Sequence, residues 1–409
     1  MNVDAIEKLQ SVIHLPASKS ISNRALIIGA LCSLETDVQN VSDCDDSRVV
    51  LSALRDKPYV IDIKAAGTAM RFLTSLLSTM KGEHILTGTE RMCNRPISVL
   101  VDALRSLGAD INYMEKEGYP PLKIRGCALK GGNLSLASNV SSQYISSLLM
   151  IGPTLQEGLH LRLEGEIISR PYIEMTLSIM RQFGAKVYWI SNNEICVEPK
   201  SYEARTYFVE SDWSAASYWY EMVALSSDKD ARVTMPGLFA NSLQGDSVVA
   251  EMFASLGVRT SYENDVVVIE KGGELPSYYK RDMLSQPDLT QTIAVTCCML
   301  GIPFRLTGLQ TLRIKETDRI AALQIELGKL GYDIEIDGDE AMSWDGAIKP
   351  DAKTEMPLAI DTYDDHRMAM AFAPVALKRG RIVINNPDVV TKSYPAFWDD
   401  LRQVGFRLD

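Results

Sequence analysis

At 409 residues the chain exceeds what one hydrophobic core usually supports, so two domains are expected, and its 46% hydrophobic, 23% charged composition is that of a soluble globular protein. A formal charge of −11 disfavours a nucleic-acid surface, and a small anionic ligand would need a local basic cluster to overcome the repulsive background. No run approaches the roughly 20 apolar residues a membrane helix needs, and the N-terminus, with Asp4, Glu7 and Lys8, lacks the apolar run of a signal peptide. Seven scattered cysteines without a Cys-x-x-Cys pair fit reduced thiols, so a cytoplasmic protein with no membrane partner is expected.

A short strand is expected over residues 11–15 and pairs with the distant half of the chain. Leu15-Pro-Ala-Ser-Lys-Ser-Ile-Ser-Asn-Arg24 then turns into a helix that is apolar almost all round from Ala25. Ser18, Ser20 and Ser22 are candidate N-caps. A helix start presents unsatisfied N–H groups and the positive end of its dipole, which suits an anion; Lys19 adds a point charge and Arg24 a planar fork. Alone, the stretch is equally an ordinary capped helix with two solvated bases.

The chain repeats this kind of start. Further apolar helices begin at Thr68, Ser141, Ser214, Thr290 and His366, at intervals of 48, 73, 73, 76 and 76 residues counted from Ser20. A second series, helix ends closed by Gly108, Gly184, Gly257, Gly331 and Gly405, runs at intervals of 76, 73, 74 and 74. The first unit has Leu54-Arg-Asp-Lys57 in place of the glycine, in keeping with its short interval. Six copies of one α/β (α+β) unit are therefore expected, three per domain, each with an apolar helix inside and an amphipathic one. The strands, such as 266–269, should cover the outside with polar faces to water. A solenoid is the alternative for so regular a repeat, but roughly 70 residues is long for one. The domains should divide near Asp212, as 18–212 against 1–17 with 213–409, with two crossovers forming a hinge and the helix starts converging on a cleft.

Unusual residues flank these starts. Arg313-Ile-Lys-Glu-Thr-Asp-Arg319 places Lys315, Glu316 and Arg319 within about one helical turn; a carboxylate among cations suits a proton donor, a solvated helix start being the alternative. Asp288 is a candidate base or a plain N-cap. Asp364-Asp-His-Arg367 joins acid and base at another start, with His366 a proton carrier or a structural histidine; Arg95 is held by Pro96, and Lys392 lies in a Pro-bounded loop. The four histidines show no metal-ligand spacing, and neither a Walker A nor a Gly-x-Gly-x-x-Gly sequence occurs, so no metal and no cofactor are expected. Cys93 lies near Arg95 with no evident base and reads as an incidental thiol.

Leu15-Pro-Ala-Ser-Lys-Ser-Ile-Ser-Asn-Arg, Ala66-Gly-Thr-Ala-Met-Arg, Val140-Ser-Ser-Gln-Tyr, Ile314-Lys-Glu-Thr-Asp-Arg and Asp365-His-Arg-Met-Ala-Met, in that order, closely resemble the 5-enolpyruvylshikimate-3-phosphate synthases of the enolpyruvyl transferase family, over essentially the whole chain. The resemblance implies transfer of the enolpyruvyl group of phosphoenolpyruvate to the 5-hydroxyl of shikimate 3-phosphate with release of phosphate, in aromatic amino-acid biosynthesis. It also implies two domains of three βαβαββ units that close over the substrates, a monomer, and a glyphosate target. By the same resemblance shikimate 3-phosphate is held by Lys19, Ser20, Arg24, Ser141, Ser142, Gln143, Ser169, Tyr172, Asp288, Thr311 and Lys315. Phosphoenolpyruvate is held by Lys19, Gly67, Arg95, Gln143, Arg319, His366, Arg367 and Lys392. Asp288 would be the base for the hydroxyl and Glu316 the donor that protonates the methylene carbon, with Lys19 between the ligands.

Four positions depart from the pattern: Ala65 and Thr311 where Asn is frequent, Phe72 where Pro is frequent, and Trp213 in place of a small residue. Two rivals remain. The sister transferase that uses UDP-N-acetylglucosamine carries a cysteine five residues before the loop arginine, where this chain has Glu90. A non-catalytic anion-binding repeat protein would bind without turnover.

Overall fold

The computed structural model describes residues 1–137, 141–165, 167, 170–348 and 358–409. The chain divides into two compact units, Met1–Pro16 with Glu210–Asp409, and Ala17–Val209. Among the described residues there are six small sheets, five of four strands and one of two.

The repeat shows plainly over residues 60–126. Strand Val60–Asp62 leads into helix Gly67–Thr79, strand Gly82–Thr87 and helix Ser98–Ser106, and a hairpin of Asp110–Tyr113 and Leu122–Gly126 closes the unit. The first two strands are parallel, joined by the helix, and the hairpin adds antiparallel to the second. The same order recurs over 132–197 and 279–344.

Two further sheets are completed by the chain's beginning. Asn2–Asp4 lies antiparallel between Arg381–Ile384 and Arg407–Leu408, and Gln10–Val12 runs parallel to Arg232–Pro236. The strand expected over 11–15 thus forms at 10–12, with the Ile13 amide still donating to the Thr234 carbonyl of its partner at 2.8 Å; the strand at 2–4 is too short to show an alternation in sequence. In the first repeat Asp37–Gln39 pairs with Thr206–Phe208, and among the described residues the two form a sheet of their own that no hairpin joins. The missing hairpin accounts for the short first interval. Its amphipathic helix Asp45–Asp56 is closed by Lys57 in the left-handed region, φ 43°, where the other repeats use glycine at φ 81° to 106°.

In each unit three apolar helices are buried almost all round: Lys19–Leu31, Gly67–Thr79 and Ser142–Ile151 in one, and Trp213–Leu225, Thr290–Leu300 and His366–Phe372 in the other. No strand periodicity would bury such sequences; only a surround of neighbours does. Strand Val266–Lys271 does not present the alternating polar face expected of it. Val267, Val268 and Ile269 are all buried, since Val268 lies between Thr234 and Ser261 of the flanking strands, whose side chains share its face.

Candidate active site

In the unit 17–209 the starts of the three inner helices meet. Lys19 and Ser20 open the first, with Ser18 at the N-cap position but making no side-chain cap bond. Gly67 opens the second. Ser141 caps the third by accepting from the Gln143 amide at 3.3 Å, leaving Ser142 as its first residue. The Gln143 side chain donates to Thr68 Oγ1 at 3.2 Å and ties the third start to the second. A methyl group on Gly67 would lie 2.9 Å from Arg95 Nη1 and 3.0 Å from Arg71 Nη1, so the two guanidinium groups close on the space that only a hydrogen leaves open. Arg95 follows the short helix Glu90–Cys93, and Tyr144 anchors the next residue by donating to the Pro96 carbonyl at 2.6 Å.

Arg24 is a buried cation with neutral partners. It donates to Thr176 Oγ1 at 2.7 Å, the Ser20 carbonyl at 2.9 Å, Ser146 Oγ at 3.1 Å and the Tyr172 carbonyl at 3.4 Å. Burial pulls its pKa down to about 10. Phe72, one of the departures from the pattern, lies under this guanidinium with its ring centroid 5.3 Å from Cζ, a cation–π contact that proline would not make.

In the other unit Arg319 is the hub. It is buried and donates to Asp365 Oδ2 at 2.7 Å, Asp288 Oδ1 at 2.8 Å and Glu316 Oε2 at 2.9 Å. Arg367 donates to the other oxygen of Asp288 at 2.8 Å, Lys315 stands 3.8 Å from Asp288, and Lys392 pairs with Glu316 at 2.9 Å. Desolvation lowers the affinity of Arg319 for its proton, but Asp365, Glu316 and Asp288 outweigh it and leave the guanidinium more firmly protonated than usual. Burial would likewise raise Asp288, yet Arg367, Lys315 and Arg319 overcome it and hold the carboxyl well below the usual carboxylate range. Lys315 is lowered by burial, with Asp288 pulling the other way. Glu316, held by Arg319 and Lys392, is partly open to solvent.

Several expectations are corrected by this geometry. Lys315 and Glu316 are not in a helical turn with Arg319: they lie between a 3-10 segment, Gln310–Ile314, and the helix Arg319–Lys329, whose N-cap is Asp318. The Glu316–Arg319 pair forms across that loop. Asp288 is not the N-cap residue of the Thr290 helix, a position that Leu289 takes; it sits within the 3-10 turn Pro287–Leu289 ahead of it. His366 is preceded by the true cap, Asp365, which accepts from the Arg367 amide at 2.9 Å, and its Nδ1 is 3.6 Å from Asp365 Oδ1. Thr311 lies in the 3-10 segment, with no partner for its hydroxyl among the described residues. Ser169 lies outside the described residues. Cys93 donates weakly to the Gly88 carbonyl at 3.6 Å.

Three residues of the site escaped the reading of the chain. Arg71 is a cation four residues into an apolar helix, donating to the Gly67 carbonyl at 2.9 Å; a charge inside an apolar run was the available signal. Asp365 is in the sequence one of an acidic pair at a helix start, with nothing there to make it the partner of Arg319. Asp246, in the 3-10 segment Gly245–Val248, accepts from the Ser214 hydroxyl. Burial, then Asp288, push its pKa up to about 7 against the pull of Arg367. Nothing local in Gln-Gly-Asp marks it. Among the described residues no group of three or more His, Cys, Asp or Glu is placed to hold a metal ion, and no helix is long and apolar enough to cross a membrane.

Small repeated sheets around buried helices, with cations and carboxylates at the helix starts, have the fold of the enolpyruvyl transferases. The chain superposes on the enolpyruvyl transferase NikO from Streptomyces tendae with a TM-score of 0.75 at 15% identity, covering 99% of this chain and 97% of that one. It superposes on the EPSP synthase from Acinetobacter baumannii with a TM-score of 0.80 at 23% identity, covering 99% and 98%. Within that class the chain belongs to the EPSP synthase (3-phosphoshikimate 1-carboxyvinyltransferase) family, whose model matches residues 3–57 and 55–401. A 3-phosphoshikimate 1-carboxyvinyltransferase of Bacteroides fragilis is 54% identical over 406 residues, 99% of this chain and 98% of the relative. One from Vibrio atlanticus is 37% identical over 432 aligned positions, 99% of both chains.

Proposed function

We propose that the chain is a 3-phosphoshikimate 1-carboxyvinyltransferase that joins phosphoenolpyruvate to the 5-hydroxyl of shikimate 3-phosphate and releases phosphate. The observation that carries the chemistry is the Arg319 network, which keeps one carboxylate, Asp288, ionised between two guanidinium groups, and seats the Glu316 carboxyl where a guanidinium and an ammonium meet it.

In the reaction the 5-oxygen bonds to C2 of phosphoenolpyruvate while Glu316 delivers a proton to C3, and Asp288 takes the hydroxyl proton. The C2–phosphate bond then breaks as the Glu316 carboxylate takes a proton back from C3 and the proton held by Asp288 leaves with the phosphate, giving the enol ether and free phosphate and returning both carboxyl groups to their starting forms. Asp288 as it stands is a weak base, because three cations hold it. Substrate carboxylate and phosphate groups would draw on those cations and let its proton affinity rise, so that binding itself prepares the base.

Shikimate 3-phosphate is assigned to Lys19, Ser20, Arg24, Ser141, Ser142, Gln143, Ser169, Tyr172, Asp288, Thr311 and Lys315. Arg24 acts there chiefly through charge, since four of its five N–H groups are given to Ser20, Ser146, Thr176 and Tyr172. Phosphoenolpyruvate is assigned to Lys19, Gly67, Arg95 and Gln143, and to Arg319, His366, Arg367 and Lys392. Both ligands are polyanions, which the basic groups hold despite the acidic chain; holding them in line can supply roughly 7–11 kcal/mol. A monomeric cytoplasmic enzyme with the domains 18–212 and 1–17 with 213–409 completes the reading.

The deciding experiment measures phosphate release from phosphoenolpyruvate with shikimate 3-phosphate or UDP-N-acetylglucosamine as acceptor. Turnover with shikimate 3-phosphate alone is expected, and turnover only with the UDP-sugar would overturn the assignment.

A further inference from the structure

The loop that presents Asp365, His366 and Arg367 is held from behind by residues that the reaction does not use. Tyr363 and Asp364 are consecutive and both left-handed, at φ 53° and 55°. Residues other than Gly adopt that region uncommonly, Asn and Asp more readily than an aromatic such as Tyr363, and two in a row persist only where the surroundings over-determine them. The φ reversal here sets the direction in which the next three residues emerge. Asp365 is already committed: its amide donates to the Thr362 carbonyl at 2.8 Å, and its carboxylate takes Arg319 and caps the Arg367 amide.

What holds the corner is Glu326. This carboxylate is fully buried, yet its partners come mostly from the loop. One oxygen accepts from the Tyr363 hydroxyl at 2.5 Å, and the other from the Asp361 amide at 3.2 Å. Lys329 supplies the countercharge at 2.7 Å and reaches Asp361 Oδ2 at 2.8 Å. On the solvent side Asn386 donates to Asp364 Oδ1 at 2.8 Å and Asn385 to Asp361 Oδ1 at 2.7 Å. Glu326 and Arg319 belong to one helix, Arg319–Lys329, seven residues apart and therefore separated by about 10 Å of rigid backbone. That helix grips the loop twice, at Tyr363 through Glu326 and at Asp365 through Arg319.

We propose that the Glu326 carboxylate and the Tyr363 hydroxyl are a positioning pair, which holds the left-handed corner at Tyr363–Asp364 and so aims His366 and Arg367 at phosphoenolpyruvate. The pair touches neither substrate. The inference rests on the assignment of Arg367 to phosphoenolpyruvate made above.

Steady-state kinetics on the full chain test it. Tyr363→Phe removes only the hydroxyl, and we expect KM for phosphoenolpyruvate to rise about tenfold, as for a displaced ligand-holding group, while KM for shikimate 3-phosphate stays within about twofold. Glycine adopts the corner without strain, so Tyr363→Phe/Asp364→Gly should return KM for phosphoenolpyruvate to within about threefold of wild type. Unchanged kinetics in Tyr363→Phe would overturn the proposal, even if its Tm fell. So would an equal rise in both KM values, or failure of the glycine to restore the first, since either marks general loosening. Arg367→Ala separates the two layers. If it leaves KM for phosphoenolpyruvate unaltered, the site assignment fails and the proposal with it; if it raises KM while Tyr363→Phe does not, only the positioning pair is lost.

Discussion

Asp288 and Glu316 differ in surroundings more than in sequence. Asp288 is pinned through both oxygens by Arg319 and Arg367, which keeps it ionised. Glu316 is held by Arg319 and Lys392 and reaches solvent. Replacing each by its amide keeps the shape and removes the proton transfer, so Asp288→Asn and Glu316→Gln should each lower kcat by at least about 100-fold in the phosphate-release assay. Asp246 makes a different prediction. Its pKa is raised from 3.8 to about 7, first by burial and then by Asp288, so between those values the folded chain binds more protons than the unfolded one. Stability from this group is therefore present below about pH 4 and is lost as pH rises to about 7, at about 1.4 kcal/mol for each pH unit crossed. Asp246→Asn cannot ionise. Thermal unfolding should show it gaining on wild type between pH 5 and pH 7.5, and a constant difference across that range would refute the assigned shift.

At the scale of elements, the helix ends carry both the architecture and the site. The glycine series was legible in the chain because a left-handed C-cap favours one residue type. The first repeat breaks the series with Lys57 at φ 43°, a conformation that costs a side chain roughly 1–2 kcal/mol. Lys57→Gly should stabilise the unit 17–209 by about 0.5–1 kcal/mol, after allowing for the added freedom of the unfolded chain; urea unfolding followed by tyrosine and tryptophan fluorescence measures it. The helix starts were legible in position and less so in detail. Ser18 is a candidate cap that makes no side-chain cap bond, while Asp212, Asp318 and Asp365 cap their helices through ordinary side-chain bonds. A cap depends on the φ and ψ of the residue before the helix, which serine identity alone does not determine.

Across the whole molecule, the chain's first residues close sheets made almost 400 positions later. Asn2–Asp4 is an inner strand between Arg381–Ile384 and Arg407–Leu408, and the Met1 amine donates to the Ile384 carbonyl at 3.0 Å. Deleting residues 1–5 leaves those two strands without their shared neighbour and uncovers the place of buried Val3. The truncated chain should lose about 2–4 kcal/mol of stability and unfold at lower temperature, as circular dichroism would show. Repeat count, buried helices and family are all legible in the chain, because these rest on periodicity and on contiguous motifs. The folding of the chain adds that Arg319 gathers Asp288 and Asp365 beside its near neighbour Glu316, that Arg95 crowds Gly67, and that Glu326 grips Tyr363. Such pairings join residues dozens of positions apart, and whether a carboxylate there is a base, a brace or a cap depends on what burial and neighbouring charge do to it, which no local spacing records.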